Sequence, residues 1–245
     1  MRIFGIILIF CCFRSYTFSQ VFISSNQQWL HYFSQVDVNQ KNRFGFDAGF
    51  RWKNEFSEAS QFVARISYSR KLNSNFFIGT GLVQSGYFNN GSINTLEVRP
   101  YQELLYVKKW NKSSAQIRYR LEERFYTDYD STELNQHRFV LRNRLAFSYT
   151  FLLVKSFKKH ENASLHFFVG DEFFLNFKTN DAILLFDQNR ILAGPILKFN
   201  QKLSMQFLYN FQFAPTASEH TFKITHVYWL SFRHSLDFSK KNLTE

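Results

Sequence analysis

Residues 43–53 read Arg43-Phe44-Gly45-Phe46-Asp47-Ala48-Gly49-Phe50-Arg51-Trp52-Lys53. Phe44, Phe46, Ala48, Phe50 and Trp52 share one parity, and every charged residue and glycine falls on the other. A β-strand points successive side chains to opposite faces, so an extended chain sorts these residues into an apolar and a polar surface. A helix advances 100° per residue and would mix them around its circumference. The segment is a strand with one face in an apolar medium and one in a polar medium.

The same alternation spreads outward in both directions. Phe62, Ala64, Ile66 and Tyr68 alternate with Val63, Arg65, Ser67 and Ser69. Further copies place Ile117, Tyr119 and Leu121 against Arg118, Arg120 and Glu122, and Phe139, Leu141 and Leu145 against Arg138, Arg142 and Arg144. Met205, Phe207, Tyr209 and Phe211 oppose Gln206, Asn210 and Gln212. Weaker repeats cover 28–38, 74–87, 95–109, 163–178, 183–199 and 221–238. Asn-rich turn stretches separate them at 39–42, 73–75, 89–94, 111–114, 127–135 and 155–162, with Asn90–Gly91 a strong local hairpin signal.

Composition fits this pattern. Aromatic residues make up 20% of the chain, yet mean hydropathy is −0.29, and alternation reconciles the two. No stretch approaches eighteen consecutive apolar residues, which excludes a helical membrane span. Residues 1–19 differ in kind: Arg2 precedes an apolar run from Ile3 to Phe13 and a small polar end. This is the pattern of a cleaved secretory signal peptide, with the mature chain starting near Gln20. Cys11 and Cys12 raise a lipoprotein alternative, which Phe10 disfavours. Loss of 1–19 removes both cysteines, Arg2 and Arg14, so the formal charge falls from +11 to +9 and no disulfide or thiolate ligand remains.

Segments of about ten alternating residues separated by turns are the mark of an outer-membrane barrel. A soluble sandwich also alternates, but strand length, aromatics near strand ends and the leader favour the barrel. The expectation is an all-β protein: residues 1–19 a signal peptide and 20–245 one antiparallel transmembrane β-barrel of about 10–12 strands, located in the outer membrane of a Gram-negative cell. About eleven segments are visible, whereas single-chain bacterial barrels have even numbers. Either 28–38 lies outside a ten-stranded wall, or a twelfth strand is present.

Trp29, the 47–52 strand, "RYRLEERF" at 118–125, "RFVLRNRLAFSY" at 138–149, "GDEFFLNF" at 170–177 and "FDQNRILAGP" at 186–195 come in a characteristic order. Together they resemble the bacterial family called domain of unknown function 2490, predicted outer-membrane barrels. The resemblance implies a barrel and a location, and carries no catalytic residues.

With the aromatic face toward lipid, the candidate lumen-lining residues are Arg99, Arg118, Arg120, Glu122, Arg124, Arg138, Arg142, Arg144, Glu172 and Arg190, with Glu97 and Glu103 as further acids. Such groups must pair or be hydrated in a low-dielectric interior. One reading is a salt-bridged lumen that fills a narrow structural barrel without transport. The other is a basic channel or binding barrel that favours small anionic solutes. The chain has no Gly-x-Ser-x-Gly elbow, His-Glu-x-x-His pair or thiolate set, so it is not expected to be an enzyme or to hold a metal or cofactor. Ser148 or Ser231 beside a histidine keeps a lipid hydrolase as the lesser alternative. Expected partners are outer-membrane lipid and lipopolysaccharide, which suit basic loops such as 155–160, and the barrel-assembly machinery, which the final aromatic strand suits. The basic charge does not imply nucleic acid, because the arginines follow strand parity and no recognition module is visible.

Overall fold

The computed structural model describes residues 21–129, 136–157, 162–178, 183–218 and 220–238. The leader expected at 1–19 lies outside these residues, as do parts of the turn stretches 127–135 and 155–162. Eleven strands follow in order: β1 (Val21–Asp37), β2 (Asn42–Lys53), β3 (Glu58–Lys71), β4 (Phe76–Asn89), β5 (Ser92–Lys109), β6 (Ser113–Asp128), β7 (Gln136–Val154), β8 (Ser164–Lys178), β9 (Ile183–Lys198), β10 (Leu203–Pro215) and β11 (Thr221–Asp237). Each pairs with its neighbours in sequence, and β1 pairs with β11 to close a barrel.

The expected all-β barrel of about 10–12 strands is what the chain forms; the count is eleven, neither the ten nor the twelve that an even number required, and one join of the otherwise antiparallel wall is parallel. The segment around 28–38 belongs to the wall as β1, and it begins earlier than its alternation suggested, at Val21. An odd number of strands makes the first and last run the same way. The ten joins between sequence neighbours are antiparallel, and the β1–β11 seam is parallel. Its register sets Trp29 beside Trp229, His31 beside Ser231 and Phe33 beside Arg233. Both tryptophans therefore meet inside, their rings 5.4 Å apart and edge-on.

The chain enters at one rim, here the N-rim, and β11 ends at the other, the C-rim. Three C-rim turns repeat one device. Asn39 Oδ1 accepts from the backbone N–H groups of Lys41 and Asn42 at 2.9 and 2.8 Å, and Asn73 and Asn200 do the same for their own turns. An Asn side chain here closes the turn that backbone alone would leave open. At the N-rim, Asn90 and Gly91 both have positive φ (49° and 79°), as a two-residue hairpin turn of the primed type requires.

The outer surface carries two belts of paired rings. Near the C-rim lie Phe44–Tyr68, Phe76–Tyr106 and Trp110–Tyr149, with centroids 5.3, 5.0 and 6.3 Å apart. Near the N-rim lie Phe50–Trp52, Phe125–Phe139 and Phe213–Phe222, at 4.7, 5.0 and 4.9 Å. Polar side chains on this face are matched to partners: Tyr119 donates to Asn143 Oδ1 (2.5 Å), Asn189 to Asp171 Oδ1 (2.6 Å), and Tyr209 bonds His226 (2.6 Å). The interior is crowded enough that Gly49 lacks a side chain for a reason: a Cβ there would fall inside the His31 ring.

Candidate functional site

Alternation fixes which residues enter the lumen, and register fixes which of them meet. Glu122 of β6 stands directly across from Arg142 of β7, and Glu103 of β5 across from Arg120 of β6. Glu122 Oε2 accepts from Arg142 Nε at 2.7 Å and Nη2 at 2.5 Å, and lies 3.4 Å from Arg99. Glu103 Oε2 accepts from both Nε (3.1 Å) and Nη2 (2.7 Å) of Arg120. Glu97 takes Arg124 Nε at 2.5 Å, Arg99 at 3.0 Å and the Tyr87 hydroxyl at 2.8 Å. Glu172 accepts from Arg144 at 2.5 Å and lies 3.9 Å from Arg190. Two arginines, Arg120 and Arg144, face each other across β6 and β7, and each turns to a carboxylate on its far side.

Arginines outnumber carboxylates in this layer, and aromatic faces take up the difference. Arg51 lies over Trp29 at 3.8 Å and Arg120 over Tyr101 at 4.0 Å. Arg142, Arg144 and Arg190 surround the Phe174 ring at 4.8, 5.0 and 4.6 Å. Each desolvated contact of this kind is worth about 2 kcal/mol. All ten residues singled out from sequence lie on the lumen side. Nine sit in or beside this layer, while Arg138 stands exposed at the N-rim mouth over the Tyr126 ring at 4.4 Å.

Sequence reading missed Asp187, Arg233 and the aromatic floor. Asp187 accepts from Arg142 Nη1 at 3.1 Å and from Asn176 at 3.0 Å. It enters the lumen beside a register shift between Phe174 and Leu175, which breaks the parity that would have located it. Trp29, Tyr101 and Phe174 sit on the polar parity of their strands, so a reading that sends aromatics outward passes over them. Arg233 lay on the polar parity of the last strand and could have been found by the same rule as the others.

The two ends of the lumen differ. Toward the C-rim several inward side chains of β2, β3 and β11 are small, among them Gly45, Ser67, Ser69 and Ser235. They leave a vestibule of about 630 Å³, with Arg118 and Arg233 on its wall. A cleft of about 460 Å³ adjoins it at Arg43 and opens among Lys41, Lys71, Lys108 and Lys109. As for the serines considered from sequence, Ser231 lies opposite His31 across the seam, but neither ring nitrogen of His31 has a hydrogen-bond partner among the described residues. Among the described residues, a Ser–His hydrogen bond joins Ser164 Oγ and His166 Nε2 at 3.1 Å.

The family model described as protein of unknown function (DUF2490) matches residues 26–223. No curated protein and no solved structure matches the chain. The match runs from β1 to the start of β11 and takes in the whole charged layer, and the chain therefore belongs to the DUF2490 family.

Proposed function

We propose that this chain is an outer-membrane barrel, exported through a signal peptide at 1–19, whose lumen is closed to ion flow and which acts by binding rather than by catalysis. One observation carries the closed lumen: every strand contributes at least one inward side chain that is buried, from Trp29 on β1 through Leu192 on β9 to Val227 on β11. Glu97 and Glu122 at the centre of the charged layer are 0% exposed. A conducting barrel needs water along its axis, and ionised groups with no access to water mark a cross-section filled by protein.

Two features support the location. The outer face is apolar between the aromatic belts, with exposed Phe46, Ile66, Leu104 and Phe207. Phe139 and Tyr149, on β7, belong to opposite belts. Ten residues at about 3.4 Å per residue, on a strand tilted about 40°, separate the belts by roughly 26 Å, close to the apolar band of an outer-membrane barrel. The lipid-facing aromatics of β11, Tyr228 and Phe232, suit recognition by the barrel-assembly machinery. Lysines at the C-rim suit the phosphates of lipid or lipopolysaccharide.

Reconstitution in a planar bilayer tests the reading. The wild-type protein should give no conductance steps at 100 mV in molar salt, and replacing Glu122 and Arg142 together by Ala should open them. Steps from the wild type would restore the channel reading.

A further inference from the structure

We propose that the C-rim vestibule is a binding site for a small phosphorylated, hydroxyl-bearing solute, a phosphate monoester of about monosaccharide size. The inference rests on the closed lumen, which makes the vestibule a blind pocket instead of a stretch of pore. Its volume, about 630 Å³, falls within the range of small-molecule sites. Nine Lys and Arg side chains line the vestibule and rim cleft, five in each with Arg43 shared, against four carboxylates.

The cations nearest the charged layer are also the ones it leaves incompletely engaged. Arg233 forms no ion pair among the described residues. Its Nε donates to Gln206 Oε1 at 3.0 Å, its guanidinium lies over Phe33 at 4.2 Å, and the residue is exposed within the vestibule. Arg118 reaches Glu103 only at 3.6 Å, its buried Nε has no hydrogen-bond partner among the described residues, and its side chain keeps 31% exposure. Two guanidinium forks present several N–H donors, as a phosphate requires. Ser67, Ser69 and Ser235 add hydroxyl donors on the same walls. Asp47 lies in the same wall: its Oδ2 is 3.4 Å from Arg65 Nε, and its buried Oδ1 has no partner among the described residues, which leaves an acceptor for a ligand hydroxyl that reaches it. Mixed donors and acceptors select a phosphate that carries hydroxyls over a bare anion. The lysines around the rim raise the local anion concentration and speed capture.

Calorimetric titration of the full chain in detergent micelles at low salt tests this with three probes. Glucose 6-phosphate should bind saturably, inorganic phosphate more weakly and in competition with it, and glucose alone should give no signal. The double change Arg118→Gln and Arg233→Gln should weaken glucose 6-phosphate at least tenfold, whereas Lys53→Gln at the N-rim should leave it unchanged. Heat-dependent gel mobility shows that each variant is folded. A second measurement avoids the arginines: in a chain with Cys11 and Cys12 replaced by Ala, glucose 6-phosphate should slow thiol labelling of Ser69→Cys and not of Ile66→Cys. Absence of saturable binding, or binding that survives the double change, overturns the site. Repeating the titration in nanodiscs separates the ligand sources. Loss of the signal with phosphatidylglycerol but not phosphatidylcholine assigns the site to a lipid phosphate, and retention in both assigns it to a soluble ester. Conductance by the wild type would overturn the closed lumen alone, since the titration reads the vestibule independently.

Discussion

Arg142 holds a single oxygen of Glu122, its direct cross-strand partner, with Nε at 2.7 Å and Nη2 at 2.5 Å, and extends Nη1 to Asp187 at 3.1 Å. One guanidinium thus ties β6, β7 and β9 together inside the barrel. Replacing it by Gln keeps much of the volume but leaves Glu122 buried with less compensation. Breaking a buried pair in this way costs about 3–5 kcal/mol. Urea unfolding in phospholipid vesicles should show that loss for Arg142→Gln, and under about 1 kcal/mol for Arg138→Gln at the exposed mouth. Equal effects would mean that the layer is hydrated and contributes little.

The Gly49–His31 contact gives a steric test. A methyl group at 49 would collide with the His31 ring, and overpacking of this kind costs about 1–3 kcal/mol. Gly49→Ala should therefore destabilise the barrel, and the loss should shrink in a His31→Ala background. The coupling in that double-mutant cycle is the quantity to measure; additive effects would separate the two residues.

Facing is open to chemistry. With Cys11 and Cys12 replaced, single cysteines at Ser67 and Ser69 should react with a water-soluble thiol reagent through the vestibule, while those at Ile66 and Tyr68 should be shielded in lipid. Labelling without an odd–even difference would remove the outward assignment of that strand's aromatic face.

Parallel closure also predicts where the strand ends emerge. An epitope inserted in the N-rim turn 54–57 and one inserted in the C-rim turn 38–41 should lie on opposite sides of the membrane. A tag following Phe238 should share the side of the second. Protease added to intact cells should cut one group and spare the other, and cleavage of all three would contradict an eleven-stranded membrane wall.

Much of this fold is legible in the chain, and the reason is physical. In Phe44 to Trp52 and Phe139 to Phe147 apolar and polar side chains alternate so cleanly that parity alone assigns their faces. The charged layer follows from the same rule, which is why Arg99, Arg120, Glu122 and Arg142 could be placed inside. Pairing across the seam is not local, and nothing in 21–38 by itself announces β11 as a neighbour. The expectation of an even strand count then worked against the eleven segments in view. The filled cross-section is less legible still. It depends on Trp29, Tyr101 and Phe174, whose large rings fill space from the polar side and look in sequence like interruptions of a pattern.

The odd wall also sets an order of assembly. Ten joins form between strands that follow one another along the chain, at low entropic expense, while the last brings Ser25 to Thr225, 200 residues away, where their hydroxyls meet at 3.0 Å. Loop-closure entropy falls on that single event. Before it happens, β1 and β11 are open sheet edges, each with a row of unpaired backbone groups 17 residues long. A nascent barrel of this kind is a ribbon with two adhesive borders that point the same way. The danger in its folding is a second ribbon arriving before the first has shut.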